Sequence, residues 1–448
     1  MLLDAIHKVL WKKNGYFLIS LLFQAGPTFI KLGQWAATRP DIFSPQLISH
    51  LSSLHSECPF HSFEDTVLAI EESFGKPIYE VFTEFDQVPV AAGAIAQIYR
   101  AKLGNQEVAV KVRHPNIEEI IRRDLKIIDT FSKMVSFLAL HKFIFDKIGK
   151  IPGFQWLHLD ENVLTFAKSM QAQVDLRIEG KNLGTFIENF HDYPNIVFPK
   201  PYLHYTHPKV LVESFEKGVP ISEFTKPRVS SHVKNILATM GIDLFLKMII
   251  LDNCIHADLH PGNILVRLNG KDEPQIIILD VGLITILSND DRRNFLDLFS
   301  AIIVGDGNKA ASLMLERSRY KTDLLSGEGF KREMADLINY VMSKQLSEVE
   351  VGDVLTRIFE IGRKYKVAIE SNFATLFIGT IVLEGLGKQL NPRLNFIEEA
   401  KPFLLYDKEL RSAFVRSRIG QLMNELWKWS SGESGKKRDD SGGVPLDW

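Results

Sequence analysis

The stretch "HADLHPGNIL", residues 256–265, sets a carboxylate, Asp258, five positions ahead of a carboxamide, Asn263, and the apolar run that follows closes on a second carboxylate in "ILD", Asp280. Such a set suits phosphoryl transfer. Charge spreads over the transferred group, so the reaction wants an acidic group near the attacking oxygen, hard oxygen donors for a divalent metal, and a fixed cation on the nucleotide phosphates. Asp258 is the candidate for the first role, and Asn263 with Asp280 for the second. The cation is Lys111 in "VAVKV", and Glu179, further along in a segment of helical pattern, can pair with it and hold it in place.

These residues need elements to carry them. "VPVAAGAIAQIYRAKLGNQEVAVKVRHP" alternates apolar and β-branched residues around Gly104-Asn105, which predicts a hairpin with Lys111 on a strand. Residues 117–190 are amphipathic and helical in pattern, interrupted at Pro152-Gly153, and "KVLVESFEKG" (209–218) is a strand closed by a glycine turn. Residues 230–251 have the period of a buried helix. "NILVRL" and "QIIILD" then flank the turn "NGKDEP" as a second hairpin. Upstream, the first 87 residues are helical in pattern. Gly26-Pro27 starts a helix there, Arg39-Pro40 stops it, and Lys31 and Gln34 are expected one turn apart on one face.

Singly, each part has a plain structural reading, as an aspartate capping a helix or a solvated lysine on an edge strand. Together, a strand lysine, a helix glutamate, His-x-Asp with a spaced Asn and strand-Asp-x-Gly follow one another in protein-kinase order. The expected fold is therefore α+β, kinase-like and two-lobed, with a mostly helical C-lobe. Its expected parts are a helical N-terminal extension (1–87), an N-lobe with a helical insertion (88–217), a C-lobe (218–428) and a disordered tail (429–448) containing "SSGESGKKRDDSGG".

Composition is consistent with this. A chain of 448 residues exceeds the roughly 250–300 residues at which single cores stop growing, so two or three subdomains are expected. A net charge of −2 with 24% charged residues gives no global case for binding nucleic acid. Two cysteines, Cys58 and Cys254, make no disulfide framework. The N-terminus carries no signal-peptide pattern, and the apolar runs at 16–23 and 373–386 fall short of the roughly 20 residues of a spanning helix. They are expected as core or interfacial helices. Apolar stretches at 16–23 and 131–145, with Lys12, Lys13, Lys142 and Lys147 nearby, also suit a peripheral membrane contact.

Three strings carry a closer likeness. "GPTFIKLGQWAATRPDIF" resembles the Lys-x-Gly-Gln signature of the UbiB family, the aarF-domain atypical kinases; "PVAAGAIAQIYRA" resembles its alanine-rich nucleotide loop, and "HADLHPGNILV" its catalytic loop. The likeness spans residues 20–400, and Trp35 with "QVDLRIEGKNL" resembles a mitochondrial subtype of the family, its second. It implies an atypical kinase or ATPase that binds ATP or ADP with Mg2+ and acts in mitochondrial lipid or coenzyme Q (ubiquinone) metabolism rather than on protein substrates. The implied partners are a lipid or quinone-precursor ligand, a membrane surface and quinone-biosynthesis proteins. Ala92, Gly93, Ala94, Lys111 and Glu213 would bind nucleotide, and Lys31 and Gln34 would belong to a helical extension folded over the active site. The family's Glu-x-Asp, whose glutamate meets the signature lysine, reads Gln173-Val174-Asp175 here, so the lysine would bond to Gln173 or move to Asp175. Val281 stands where Asp-Phe-Gly has phenylalanine.

Two other readings share parts of the pattern. "HADLHPGNIL" also resembles aminoglycoside- and choline-type phosphotransferases, which lack a "KLGQ" block, and a nucleotide-binding scaffold without turnover would keep the same residues. Against a protein substrate, "SNDDRRN" starts a helix soon after Asp280-Val281-Gly282, and no Ala-Pro-Glu follows.

Overall fold

The computed structural model describes residues 15–400 and 403, apart from 38, 40–42, 44, 52–53, 55–59, 141–158, 271, 319–323, 345–348, 368 and 398. Cys58, Pro152-Gly153, Lys12, Lys13, Lys142, Lys147 and the tail from 429 lie outside the described residues.

The N-terminal extension is built from α1 (Gly15–Ala25), α2 (Pro27–Ala37) and α3 (Pro45–Leu51). Gly26 at φ 104° makes the corner between the first two, a conformation open to glycine, and Pro27 starts the next helix where its missing N–H costs nothing. Ala36, Leu47, Leu51 and Leu54 form a small core of their own.

Alternation then produces the first sheet. Strands β1 (Glu84–Phe85), β2 (Ala91–Ala92), β3 (Ala96–Leu103), β4 (Gln106–Arg113) and a later strand, Val210–Ser214, form an antiparallel five-stranded sheet in which β4 lies between β3 and that later strand. Gly104 at φ 60° turns the expected hairpin. Val108, Val110, Val112, Val210 and Val212 point to one face, where helix α4 (Phe63–Phe74) covers them with Ile70. Fully buried side chains of this size each stabilise by about 1.5–3 kcal/mol, which fixes the register and leaves Ala109 and Lys111 on the opposite face. Because α4 and β1 pack in this sheet, the N-lobe's covering begins inside the segment read from sequence as extension.

The single turn α5 (Ile78–Val81) precedes β1, and between β4 and the later strand come the helices α6 (Ile117–Leu140), α7 (Leu159–Val174) and α8 (Leu176–Asn189). The α7–α8 boundary was not anticipated. It arises because Asp175 leaves helical geometry (ψ 101°) and its side chain accepts the Arg177 N–H as an N-cap. Strand β5 is Ile196–Val197, and the later strand of the first sheet is β6.

The C-lobe follows β7 (Val219–Pro220) and the short α9 (Ile221–Phe224). Helix α10 (Ser231–Leu246) runs into a π-helical turn, Lys247–Leu251, then β8 (Ile255–His256). The hairpin β9 (Ile264–Asn269) and β10 (Glu273–Ile278) pairs over six residues, Ile278 opposite Ile264, in a four-stranded sheet ordered β5-β10-β9-β7. β11 (Ile284–Thr285) pairs with β8. Among the described residues the lobe continues through α11 (Asn289–Val304), α12 (Gly307–Arg317), α13 (Leu324–Ser343), α14 (Val351–Tyr365) and α15 (Ser371–Leu390). α15 meets the length and composition of a membrane span, yet 56% of its apolar window is buried within the protein, and Phe373, Leu376, Phe377, Leu383 and Leu386 belong to the main core.

Candidate nucleotide site

The cleft between the lobes is defined by where β4 directs Lys111. Its Nζ donates to Glu179 at 2.8 Å (Oε1) and 2.7 Å (Oε2), and to Asp280 Oδ2 at 3.2 Å. Glu179 lies in the first turn of α8, so the Asp175 cap that starts this helix also places the carboxylate. Asp175 is therefore engaged with Arg177 rather than with Lys31. Burial would lower the Lys111 pKa, but Asp280 and Glu179 outweigh it and hold the ammonium well above its ordinary range. Burial pushes Glu179 upward against the pull of Lys111. Asp280 is held below the usual carboxylate range: burial opposes this, and Lys111, Lys31 and the Gly282 N–H prevail.

The loop from β8 to β9 presents Asp258 and Asn263. His256 is buried, which lowers its pKa against the pull of Asp258 and Asp280, and its Nδ1 accepts the Asp258 N–H at 3.1 Å. Asn263 Nδ2 donates to the Asp258 carbonyl at 3.1 Å, which closes the five-residue loop and leaves the carboxamide oxygen Oδ1 as the atom that could ligate a metal. The Ala257 N–H bonds to the Leu283 carbonyl and the Leu279 N–H to that of Asn263, tying the loop to the segment carrying Asp280. Val281 is fully buried in the main core, and Asn182 of α8 donates to its carbonyl at 2.9 Å. An aliphatic side chain thus fills the place of the kinase phenylalanine, and its backbone carbonyl, through Asn182, links Glu179's helix to the segment carrying Asp280.

A third wall is the loop after β2. The Gly93 N–H bonds to the Ala96 carbonyl at 2.8 Å, and the Gly93 carbonyl accepts from His114 Nε2 at 2.9 Å. Ala92 is half-buried and Ala94 buried, the latter against Ile30 of α2. The residue after Ile30 reaches the catalytic loop: Lys31 Nζ lies 3.9 Å from Asp258 Oδ2. Gln34 does not share this direction. Its Nε2 donates to the Leu54 carbonyl at 2.8 Å, inside the extension, and a β-carbon on Gly33 would collide with Leu54. The "KLGQ" block therefore divides into one residue for the cleft, Lys31, and three for packing the helix, Leu32 against α6 and α7 and Gly33 and Gln34 against the Leu54 side. Gln173, at the end of α7, is half-buried, with Asp258 as the acidic neighbour of Lys31.

Several anchors had no signature in the sequence. Lys247, in the π turn, is buried with Asp252 at 2.6 and 2.8 Å and sits 4.6 Å over the Phe190 ring, so it joins the approach to the catalytic loop to the end of α8. Thr28 donates to Asp124 at 2.8 Å, fixing α2 on α6. Each pairs residues distant along the chain, and only the fold brings them together. Among the described residues no group of three or more His, Cys, Asp or Glu forms a closed metal cage. A magnesium nucleotide does not need one, since this hard cation takes one or two protein oxygens together with phosphates and waters. The Asp280 carboxylate, 48% exposed, and the Asn263 carboxamide fit that demand.

A sheet over a catalytic loop, with a lysine–glutamate pair and a strand-end aspartate between two lobes, defines a protein-kinase-like molecule. Comparison with known proteins places it more closely. The ABC1 atypical kinase-like domain matches residues 53–314 and the UbiB helical domain residues 334–395. The chain belongs to this ABC1/UbiB family of atypical kinases. A probable serine/threonine-protein kinase of Dictyostelium discoideum is 36% identical over 92% of the chain and 68% of that protein. A mitochondrial ABC1 family protein of Schizosaccharomyces pombe is 32% identical over 92% and 67%, and a probable protein kinase UbiB of Aeromonas salmonicida 30% over 86% and 69%. The chain thus spans about two thirds of each relative's length. A Mycobacterium tuberculosis protein solved in complex with erythromycin shares the fold, with a TM-score of 0.50 and 18% identity over 89% of this chain and 98% of that one.

Proposed function

We propose that this chain binds ATP or ADP with magnesium and transfers the terminal phosphoryl group of ATP to water or a small or lipidic hydroxyl compound, in mitochondrial lipid or ubiquinone metabolism. The observation that carries the reading is the convergence of Lys111, Glu179 and Asp280 beside the Asp258–Asn263 loop. Lys111, fixed by Glu179, would neutralise phosphate charge. Asp258 would take the proton of the attacking hydroxyl as its oxygen bonds to the terminal phosphorus and the bond to the bridging oxygen breaks, releasing the nucleoside diphosphate. Magnesium, when bound through Asp280 and Asn263, supplies charge neutralisation and alignment of the phosphates.

The extension favours a small acceptor. Ile30 rests on Ala94 and Lys31 faces Asp258, so α2 covers ground that a peptide would need. After Gly282 the chain enters β11 and then α11, leaving little of it for a peptide platform. The mitochondrial setting rests on the name of the Schizosaccharomyces pombe relative. A lipid surface is supported by Ile127, Phe131 and Met134, each at least half exposed at helical spacing on α6 beside the exposed Lys126 and Lys133. Quinone-biosynthesis proteins are candidate partners on the same grounds of family. The Lys31–Asp258 contact favours a second reading, in which nucleotide occupancy without turnover is the output.

The test is nucleotide hydrolysis and phosphoryl transfer by purified protein, with and without phenolic quinone precursors and anionic liposomes. Turnover that these additions raise and that Asp258→Asn abolishes is expected. Binding without turnover under every condition would leave the scaffold reading, and absence of nucleotide binding would overturn both.

A further inference from the structure

The helices of the C-lobe leave space between them. Where α10 with its π turn, α11, α13, α14 and α15 converge, a cavity of about 120 Å3 is lined by apolar side chains such as Phe299, Val341, Leu355, Ile358 and Phe377. None of the nucleotide-site residues borders it. Thr380 is the one polar side chain among the described residues that line it, and its hydroxyl donates to the Leu376 carbonyl at 2.9 Å within α15. A water there would find no side-chain partner, and a void lined in this way stays dry and takes apolar matter. Left empty, a hole of this size weakens a core.

The cavity has a polar neighbour. A second pocket, of about 260 Å3, opens between α13 and α14 and shares Val341, Val349 and Val354 with the first, so these three valines stand between the two. Its other walls carry charge. Lys344 Nζ lies 4.9 Å and the Arg357 guanidinium carbon 5.3 Å from the centre of the Tyr340 ring, and all three side chains are exposed. Glu350 pairs with Lys388 of α15, and Asp353 is the other carboxylate of this rim. Lys344, Arg357 and Lys388 against Glu350 and Asp353 leave a single positive charge at the exit from an uncharged cavity.

We infer that this part of the C-lobe is a binding site for a single-chain fatty carboxylate, its hydrocarbon chain passing the three valines into the inner cavity and its head group held by Lys344 and Arg357. The site is separate from the cleft and stands whether or not the nucleotide reading does. Apolar walls alone would take any alkyl group, and the rim chooses the head. An alkyl cation meets like charge there, and a phosphate monoester brings about two negative charges to a rim with one positive charge to spare. A carboxylate brings one, and the guanidinium fork matches its two oxygens. A cavity of about 150 Å3 lined by Leu, Ile and Phe holds one benzene, so a space of similar size admits one chain end and not the two chains of a membrane phospholipid.

Calorimetry on the full chain, below the micellar concentration of each ligand, compares octanoate, decanoate and decanol. Decanoate is expected to bind at one site, octanoate about fourfold more weakly for each methylene lost, and decanol on the order of tenfold more weakly than decanoate. Lys344→Ala combined with Arg357→Ala, both at exposed positions, should bind decanoate and decanol alike. Val341→Phe, which puts a ring in the passage, should weaken both by about tenfold or more. Thermal unfolding without ligand checks that each variant is folded. Asp280→Asn should bind decanoate as the wild type does, and a short two-chain anionic phospholipid should not displace it. Absence of decanoate binding, equal affinity of the wild type for decanoate and decanol, or binding that neither cavity variant alters would overturn the inference. Loss of decanoate binding in Asp280→Asn would place the chain in the cleft, displacement by the phospholipid would make the ligand a membrane lipid, and either would overturn it as well.

Discussion

Lys31 of the N-terminal extension places its Nζ 3.9 Å from Oδ2 of Asp258, so a helix outside both lobes reaches the group proposed to receive the acceptor's proton. The separation is at the long end of ion-pair distance and neither side chain is fully buried, so the pairing energy is about 1 kcal/mol. Lys31→Ala should free Asp258 and raise the turnover rate by up to about fivefold, with a smaller change in nucleotide affinity. Steady-state hydrolysis checks this. A fall in turnover would mean that Lys31 supports the chemistry rather than restraining it.

Asp280 meets Lys111 on one side and is 48% exposed on the other, the disposition of a carboxylate able to take a metal. Asp280→Asn should weaken nucleotide binding on the order of tenfold or more with magnesium and much less without it. A thermal-shift titration in both conditions separates the outcomes. Equal stabilisation of variant and wild type by magnesium nucleotide would remove Asp280 as a ligand.

Gly93 holds the loop proposed to meet the phosphates without needing a conformation reserved for glycine: its φ is not positive, and a β-carbon there comes no nearer than 3.6 Å, to the Ala96 carbonyl oxygen. Gly93→Ala should leave unfolding free energy within about 0.5 kcal/mol of wild type, as surface changes away from special features do. The ratio of ATP to ADP affinity should nonetheless change, because the added methyl lies where backbone would approach phosphate. An unchanged ratio in calorimetry, with the fold intact, would detach this loop from the nucleotide.

What the sequence made legible follows from the range of each interaction. The β3–β4 and β9–β10 hairpins, the strand carrying Lys111 and the Asp258–Asn263 loop are local patterns, and the structure has them. The partner of Lys31 was not legible. Reading Lys31 and Gln34 as one face assumed that helical spacing sets a common target, yet the first faces Asp258 and the second the Leu54 carbonyl, because α3 and the following turn pack against that side of α2. Asp175 has two uses available from sequence, a salt bridge or a helix cap, and only the break between α7 and α8 selects the cap. The Lys247 and Thr28 anchors depend on residues that no spacing rule connects.

A pH dependence should arise behind the nucleotide loop. His61 Nδ1 lies 2.6 Å from His114 Nδ1, His114 Nε2 lies 2.9 Å from the Gly93 carbonyl, and His61 Nε2 lies 2.8 Å from Thr66 Oγ1. A carbonyl only accepts, so His114 carries its proton on Nε2. Its Nδ1 then accepts from His61, and His61 Nε2 accepts from Thr66. This chain needs both rings neutral. Burial, then the proximity of His114, lowers the His61 pKa from 6.5 to about 4 against the pull of Asp65, and burial lowers that of His114. Because the folded state binds the proton less well than the unfolded chain, the stabilisation is complete above pH 6.5 and is lost as pH falls toward 4. For a half-buried ring the loss amounts to about 1–2 kcal/mol. The melting temperature of the wild type should therefore fall more steeply over this acid range than that of His61→Asn, because protonation breaks the bonds between the two rings and to Thr66 while the His114 bond to Gly93 persists. Parallel melting curves for the two proteins would show that the histidine pair does not titrate with folding.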